Sequence, residues 1–193
     1  ILEDPDYLSK HDTNVITPGT RFMRNLAKHL QLFIKNQQET IPAWSDISII
    51  LSDASVPGEG EHKIMDFIRG QRFEQGYDPN RHHCIYGLDS DLIFLGLASH
   101  EPYFTILREK VLDNVDGFQF VSLWVLRQFL EKELKPSVSL PFDWDFENVI
   151  DDLVMLCFSI GNDFLPGIPG FSIQAGIINA LMIEYTHNLP KMG

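Results

Sequence analysis

Asp89 and Asp91 stand one residue apart in YGLDSDLIFLGL, residues 86–97, within a run that is otherwise almost wholly apolar. Charged carboxylates are rarely buried without a partner, so this pair calls for a cation. Residues two apart in extended chain face the same way, whereas on a helix they diverge by about 200°. A ligand role for both therefore requires a non-helical Asp89. The competing reading puts Asp91 in the first turn of a helix, where a carboxylate suits the macrodipole. PGEGEHK, residues 57–63, repeats the spacing with Glu59 and Glu61, bracketed by Gly58 and Gly60. There a solvated helix start competes, and the GxxxxGK[ST] spacing of a phosphate loop is absent. Asp163 in GNDFLP, residues 161–166, follows an apolar helix end. Its competing reading is a terminating turn at Gly161 or Asn162. Asp151 and Asp152 read as surface charges favoured by a helix N-terminus.

Taken together, Glu59, Glu61, Asp89, Asp91 and Asp163 suggest more than they do singly. Carboxylates crowded into one site repel and raise one another's pKa, and hard divalent cations remove that penalty. Mg²⁺ or Mn²⁺ with oxygen ligands fits this donor set. Two such ions about 4 Å apart serve in-line attack on a phosphodiester.

The elements must bring these acids to one edge. TPGTRFMRNLAKHLQLFIKNQ predicts a helix capped by Thr17, with Phe22, Leu26, Leu30, Phe33 and Ile34 on one face. Ile47–Ser52 predicts a buried strand, EHKIMDFIRGQRF a helix, residues 76–81 a loop and His83–Leu88 a strand. Asp91–Ala98 predicts a short helix and Phe104–Arg108 a third strand. FQFVSLWVLRQFLEKEL, FENVIDDLVMLCFSIG and IQAGIINALMIEY predict three further helices. The expectation is an α/β fold with a mainly parallel central sheet flanked by helices and a C-terminal helical extension. Residues 1–16 form an arm, and 17–193 form a single domain fragment with an α/β part (17–134) and a helical part (143–193). In such sheets ligands sit outside the carboxyl ends of the strands, which is where both acidic pairs fall.

The chain of 193 residues is 44% hydrophobic and 22% charged, an ordinary globular balance. It carries 15 Lys and Arg against 27 Asp and Glu, a net charge of −12. That balance does not suit general phosphate binding, so either the partner is not nucleic acid or the acids hold cations. No apolar run approaches the roughly 18 residues that span a bilayer, so no membrane partner is expected. The opening ILEDPDYL reads as an excerpt from a longer protein. Cys84 and Cys157 read as small core residues without a disulfide framework, which points to a reducing compartment. His82-His83-Cys84 reads as a strand start rather than a metal cluster, because adjacent strand residues face opposite ways.

PGEGEHKIMDFIR, HHCIYGLDSDLIFLGL, HEPYFTILRE, IDDLVMLCF and GNDFLP, in this order, resemble the Xrn 5′→3′ exoribonucleases over about residues 16–185. The resemblance implies a PIN-like 5′-nuclease fold of the wider flap-nuclease group. It implies metal-dependent, processive removal of nucleotides from single-stranded RNA bearing a 5′-monophosphate, in RNA degradation or processing. HEPYFTILRE and LPFDWDFENVIDD resemble the nuclear branch more than the cytoplasmic one, which implies a nuclear protein. Glu59 and Glu61 match that family's Glu-x-Glu metal motif, Asp89 and Asp91 its Asp-x-Asp motif, and Asp163 the acid of GNDFLP. The family's first two acids, its 5′-phosphate pocket and its base-stacking residues match nothing in this chain, so the isolated chain is expected to be weakly active or inactive. A departure from the family follows GNDFLP: GIPGF replaces a histidine-containing turn and is similar to the helix–turn–helix of flap endonucleases. A flap-type endonuclease and a non-catalytic binding or scaffold relative are the alternatives. The resemblance names no protein activator.

Overall fold

The computed structural model describes residues 13–110, 117–163 and 165–192, so residues 1–12 of the expected arm lie outside it. The described residues hold seven α-helices and a three-stranded mixed sheet, in two compact units divided after Phe67. None of these helices is long and apolar enough to cross a membrane.

In the first unit, helix α1 spans Arg21–Thr40 and helix α2 spans Pro42–Ser45. The cap of α1 is Thr20, not Thr17: its hydroxyl accepts the Met23 N–H at 3.2 Å. Thr17 instead opens a turn closed by the Thr20 N–H at 3.2 Å, so Pro18 serves the turn and not the helix. Helix α1 ends at Ile41, whose extended backbone is what a following proline demands. Phe33 meets Trp44 edge to face at 6.0 Å, yet no residue of α1 is buried.

The strand expected over Ile47–Ser52 is not formed, and Ile47 and Ile50 stay 50% and 69% exposed. An apolar run reports a tendency to bury. A strand also needs a neighbour for its N–H and C=O groups, and this segment pairs with none of the described strands. Helix α3, Gly60–Gln71, follows as expected and crosses the division between the units.

In the second unit, β1 (His82–Tyr86), helix α4 (Asp91–Ala98) and β2 (Tyr103–Glu109) alternate, and β1 pairs parallel with β2. Strand β3, Phe118–Ser122, pairs antiparallel with β2. This corrects two expectations. The sheet is mixed rather than mainly parallel, and FQFVS is a strand rather than the start of a helix. Its alternation places Phe118 and Phe120 on one face, and only from Leu123 does the period become helical, giving α5 (Leu123–Leu134). Helix α6 spans Phe146–Phe158 and α7 spans Ile177–Asn188. The first turn expected of α7 is instead a run of turns ending at Gly176.

Phe104 and Ile106 of β2 are fully buried. Helix α4 lies close on them because Gly96 carries no side chain: an added Cβ would lie 2.3 Å from Leu123 Cδ1 and 3.0 Å from Phe104 Cδ1. Leu97, Ile150 and Val154 form one cluster, and Leu134, Val149, Leu153, Cys157, Tyr185 and Leu189 another. Cys157 is thus core, but Cys84 is exposed on the open face of β1, against expectation. Strand alternation decides this: Ile85, its neighbour, takes the buried face.

One charged group lies deep in this unit. The Glu101 side chain is 1% exposed and accepts from Arg72 Nε at 2.6 Å and from the Tyr77 hydroxyl at 2.9 Å, with His83 Nε2 at 3.3 Å. Burial pushes its carboxyl up, but the Tyr77 hydroxyl and the Arg72 guanidinium outweigh that and hold it below the usual range. His82 stacks on Tyr103 at 4.6 Å. The His-His-Cys run is thus tied into strand packing.

Candidate metal centre

The first acidic pair is set by the start of α3. The Glu59 carbonyl accepts the Lys63 N–H at 3.0 Å, opening the helix. The Lys63 ammonium turns back to the carbonyls of Asp53 and Val56, each at 3.1 Å, and so fastens the preceding loop. Asp53 accepts the Ser55 hydroxyl and N–H at 2.6 and 2.8 Å, and these hold its carboxyl below the usual range. On this frame Glu59, Glu61 and His62 each bring a ligand atom to within 4.8 Å of the others. Glu59 and His62 are exposed, and Glu61 is half-buried. His62 went unread in the sequence, and its only signal there is its place directly after the Glu-x-Glu spacing.

The second pair sits on the corner between β1 and α4. Asp89 is non-helical, as a ligand role requires, and Asp91 is the first residue of α4. The non-helical Asp89 that a ligand role requires and the helical Asp91 of the competing reading thus occur together. Ser90 stands at the cap position but makes no side-chain cap bond; Asp89 Oδ1 instead accepts the Asp91 N–H at 3.2 Å. The corner is tight because Gly87 leaves room for Leu92: an added Cβ would lie 2.6 Å from Leu92 Cδ1. Leu92 is 3% exposed. The Gly87 N–H donates to Leu107 O at 3.1 Å, and the Arg108 guanidinium donates to Leu88 O.

Asp163 is exposed in the loop after α6. Asn162 folds that loop, its Oδ1 accepting the Leu165 N–H at 2.7 Å and its own N–H reaching Leu165 O at 2.9 Å. Phe164 lies outside the described residues. At Gly167, within that departure, an added Cβ would lie 2.2 Å from Ile160 O, so a larger residue there would require this fold-back to shift. Within residues 68–192 the described acids, Asp89, Asp91 and Asp163 included, do not gather into a group of three at metal-ligand spacing.

The two acids set aside as surface charges both have partners. Asp151 accepts from His100 Nε2 at 2.9 Å, while His100 Nδ1 lies 2.5 Å from Glu147. Asp152 accepts the Tyr185 hydroxyl at 2.8 Å. Burial and that bond push the Tyr185 phenol well up. The helix-dipole reading missed these bonds because their partners come from distant sequence.

Residues 3–110 match the family described as the XRN 5'-3' exonuclease N-terminus, and residues 143–193 match the Xrn1 helical domain. The chain is 43% identical to 5'-3' exoribonuclease 2 of Gallus gallus over all of its length, covering 24% of that relative. It is 46% identical to 5'-3' exoribonuclease 2 of Schizosaccharomyces pombe over 94% of its length, covering 21% of that protein. Drosophila melanogaster has a 5'-3' exoribonuclease 2 homolog that is 43% identical over 90% of the chain, with 23% of it covered. The chain thus spans about a fifth to a quarter of these relatives. With the two acidic pairs, the GNDFLP loop and these matches in hand, the chain belongs to the XRN 5'-3' exonuclease family.

Proposed function

We propose that the chain is part of the catalytic region of a metal-dependent 5′→3′ exoribonuclease, with Glu59, Glu61, Asp89, Asp91 and Asp163 as ligands for Mg²⁺ or Mn²⁺. The observation that carries this reading is the repeated device of an acid-x-acid pair at the start of a helix, at α3 and again at α4, in a chain of this family. The donor set fits such ions. Glu59, Glu61 and His62 each bring a ligand atom to within 4.8 Å of the others, a limit somewhat wider than the roughly 4.2 Å across a shell of about 2.1 Å radius, so a bound ion would draw them closer. Bound divalent ions would activate a water and stabilise the departing phosphodiester oxygen. The chain's own part is to hold the acids. One Asp89 oxygen caps α4, which leaves the other to face a cation, and the N-terminus of α4 favours negative charge beside it.

The proposed substrate is single-stranded RNA with a 5′-monophosphate, the proposed setting is the nucleus, and the isolated chain is a weak nuclease at best. The single-domain organisation over residues 17–193 remains part of the same reading. Titration of Mn²⁺ by calorimetry, repeated with Asp89→Asn and Asp91→Asn, tests the ligand set. Binding is expected to weaken by about 10-fold or more in each, and unchanged binding in both would remove their role. Preference of the full-length polypeptide for branched DNA over 5′-phosphorylated RNA would favour the flap-type alternative.

A further inference from the structure

We propose that Arg108, at the end of β2, is a positioning residue that sets the Asp89–Asp91 loop for metal binding; this rests on the metal-site reading above. Strands β1 and β2 run in parallel register with Tyr86 beside Leu107. The next step along that ladder places Gly87 beside Arg108. Two bonds from the end of β2 carry the ladder past the strand: Leu107 O receives the Gly87 N–H at 3.1 Å, and the Arg108 guanidinium grips Leu88 O. The second bond matters for chemistry. The Leu88 carbonyl and the Asp89 nitrogen belong to one rigid peptide plane. Fixing that oxygen fixes the plane from which the Asp89 side chain departs. Asp89 in turn accepts the Asp91 N–H at 3.2 Å and so locates the start of α4. A line of bonded groups therefore runs from Arg108 through Leu88 and Asp89 to Asp91.

A second feature separates Arg108 from an ordinary surface arginine. Its Nε is buried and has no hydrogen-bond partner among the described residues. A buried donor without an acceptor is costly. An arginine that served only to cover the sheet edge would not need it, because a lysine or methionine stem covers the same surface without a buried Nε–H. What the guanidinium provides here, and a lysine or methionine stem does not, is a planar fork that holds one carbonyl in a fixed direction.

The test uses the full-length polypeptide that carries this chain, with Arg108→Met and Arg108→Lys alongside the Asp89→Asn/Asp91→Asn double variant. Four quantities are measured: Mn²⁺ affinity by calorimetry, thermal midpoint, and kcat and KM on 5′-phosphorylated RNA. Substitution of residues that orient metal ligands costs about 10- to 100-fold in metal affinity. Arg108→Met is expected to show a loss in that range, with kcat reduced and KM for RNA within about 2-fold of the parent. Arg108→Lys retains the charge and a donor and is expected to recover part of the affinity; it also serves if Arg108→Met does not fold. If the double variant loses Mn²⁺ while folded Arg108 variants keep parental affinity and kcat, the positioning role is wrong and the metal reading stands. If the double variant binds Mn²⁺ like the parent, the metal reading fails and takes the Arg108 role with it.

Discussion

Glu101→Gln tests the polar centre of the second unit. The substitution keeps the shape and an acceptor for Tyr77 but removes the charge facing Arg72 at 2.6 Å and His83 at 3.3 Å. Breaking a fully buried ion pair costs about 3–5 kcal/mol, whereas a hydrogen bond to a charged group is worth about 1.5–3 kcal/mol. The Arg72 side chain is 38% exposed and can recover water, so the lower range governs, at about 2 kcal/mol. For a chain of this size that is a fall in Tm of about 4–8 °C. The pH dependence has a definite sign. Burial raises the Glu101 carboxyl, but its Tyr77 and Arg72 partners leave it below the usual carboxylate range. Its contribution is therefore complete above the unfolded pKa and is lost as pH falls through the lower folded value. Urea unfolding of parent and variant, followed by circular dichroism at steps from pH 7 to pH 3, reads both effects. The gap between the two is expected to be widest at pH 7 and to narrow below about pH 4.5. A gap under about 0.5 kcal/mol at pH 7, or parallel acid limbs, would refute the reasoning.

Gly96→Ala places a methyl 2.3 Å from Leu123 Cδ1 and is expected to lower unfolding free energy by about 1–3 kcal/mol, read by the same urea curves. Gly87→Ala forces Leu92 away from a 2.6 Å contact. It is expected to weaken Mn²⁺ binding more than it lowers Tm, and Leu92→Val in the same chain should restore part of the affinity, as calorimetry would show.

Local sequence signals carried well where one element decides its own state. Asp91–Ala98 forms the helix its residues predict, and the strands around Ile85 and Ile106 lie within a residue or two of expectation. They failed where tertiary neighbours decide. The run at Ile47–Ser52 pairs with none of the described strands, and FQFVS looks helical only when joined to the genuine helix that follows it. Thr17 and Thr20 are both plausible caps by residue type, and the turn between them selects the second. The acids proposed as metal ligands stand out in the sequence because carboxylates in apolar surroundings or between glycines are unusual. Arg108 was not legible: an arginine near the end of a strand says nothing about which carbonyl it holds. His62 and the partners of Asp151 and Asp152 were missed for the same reason, since they depend on distances that spacing alone does not give.

The corner at Gly87 bears on protein engineering. Its acids are held by a glycine that admits Leu92, by the Leu107 carbonyl and by the Arg108 side chain, so the short DSD segment is not a portable part. Moving the loop onto another scaffold would require the end of the neighbouring strand as well. The smallest transferable unit is a strand-to-helix corner together with the tip of the strand beside it.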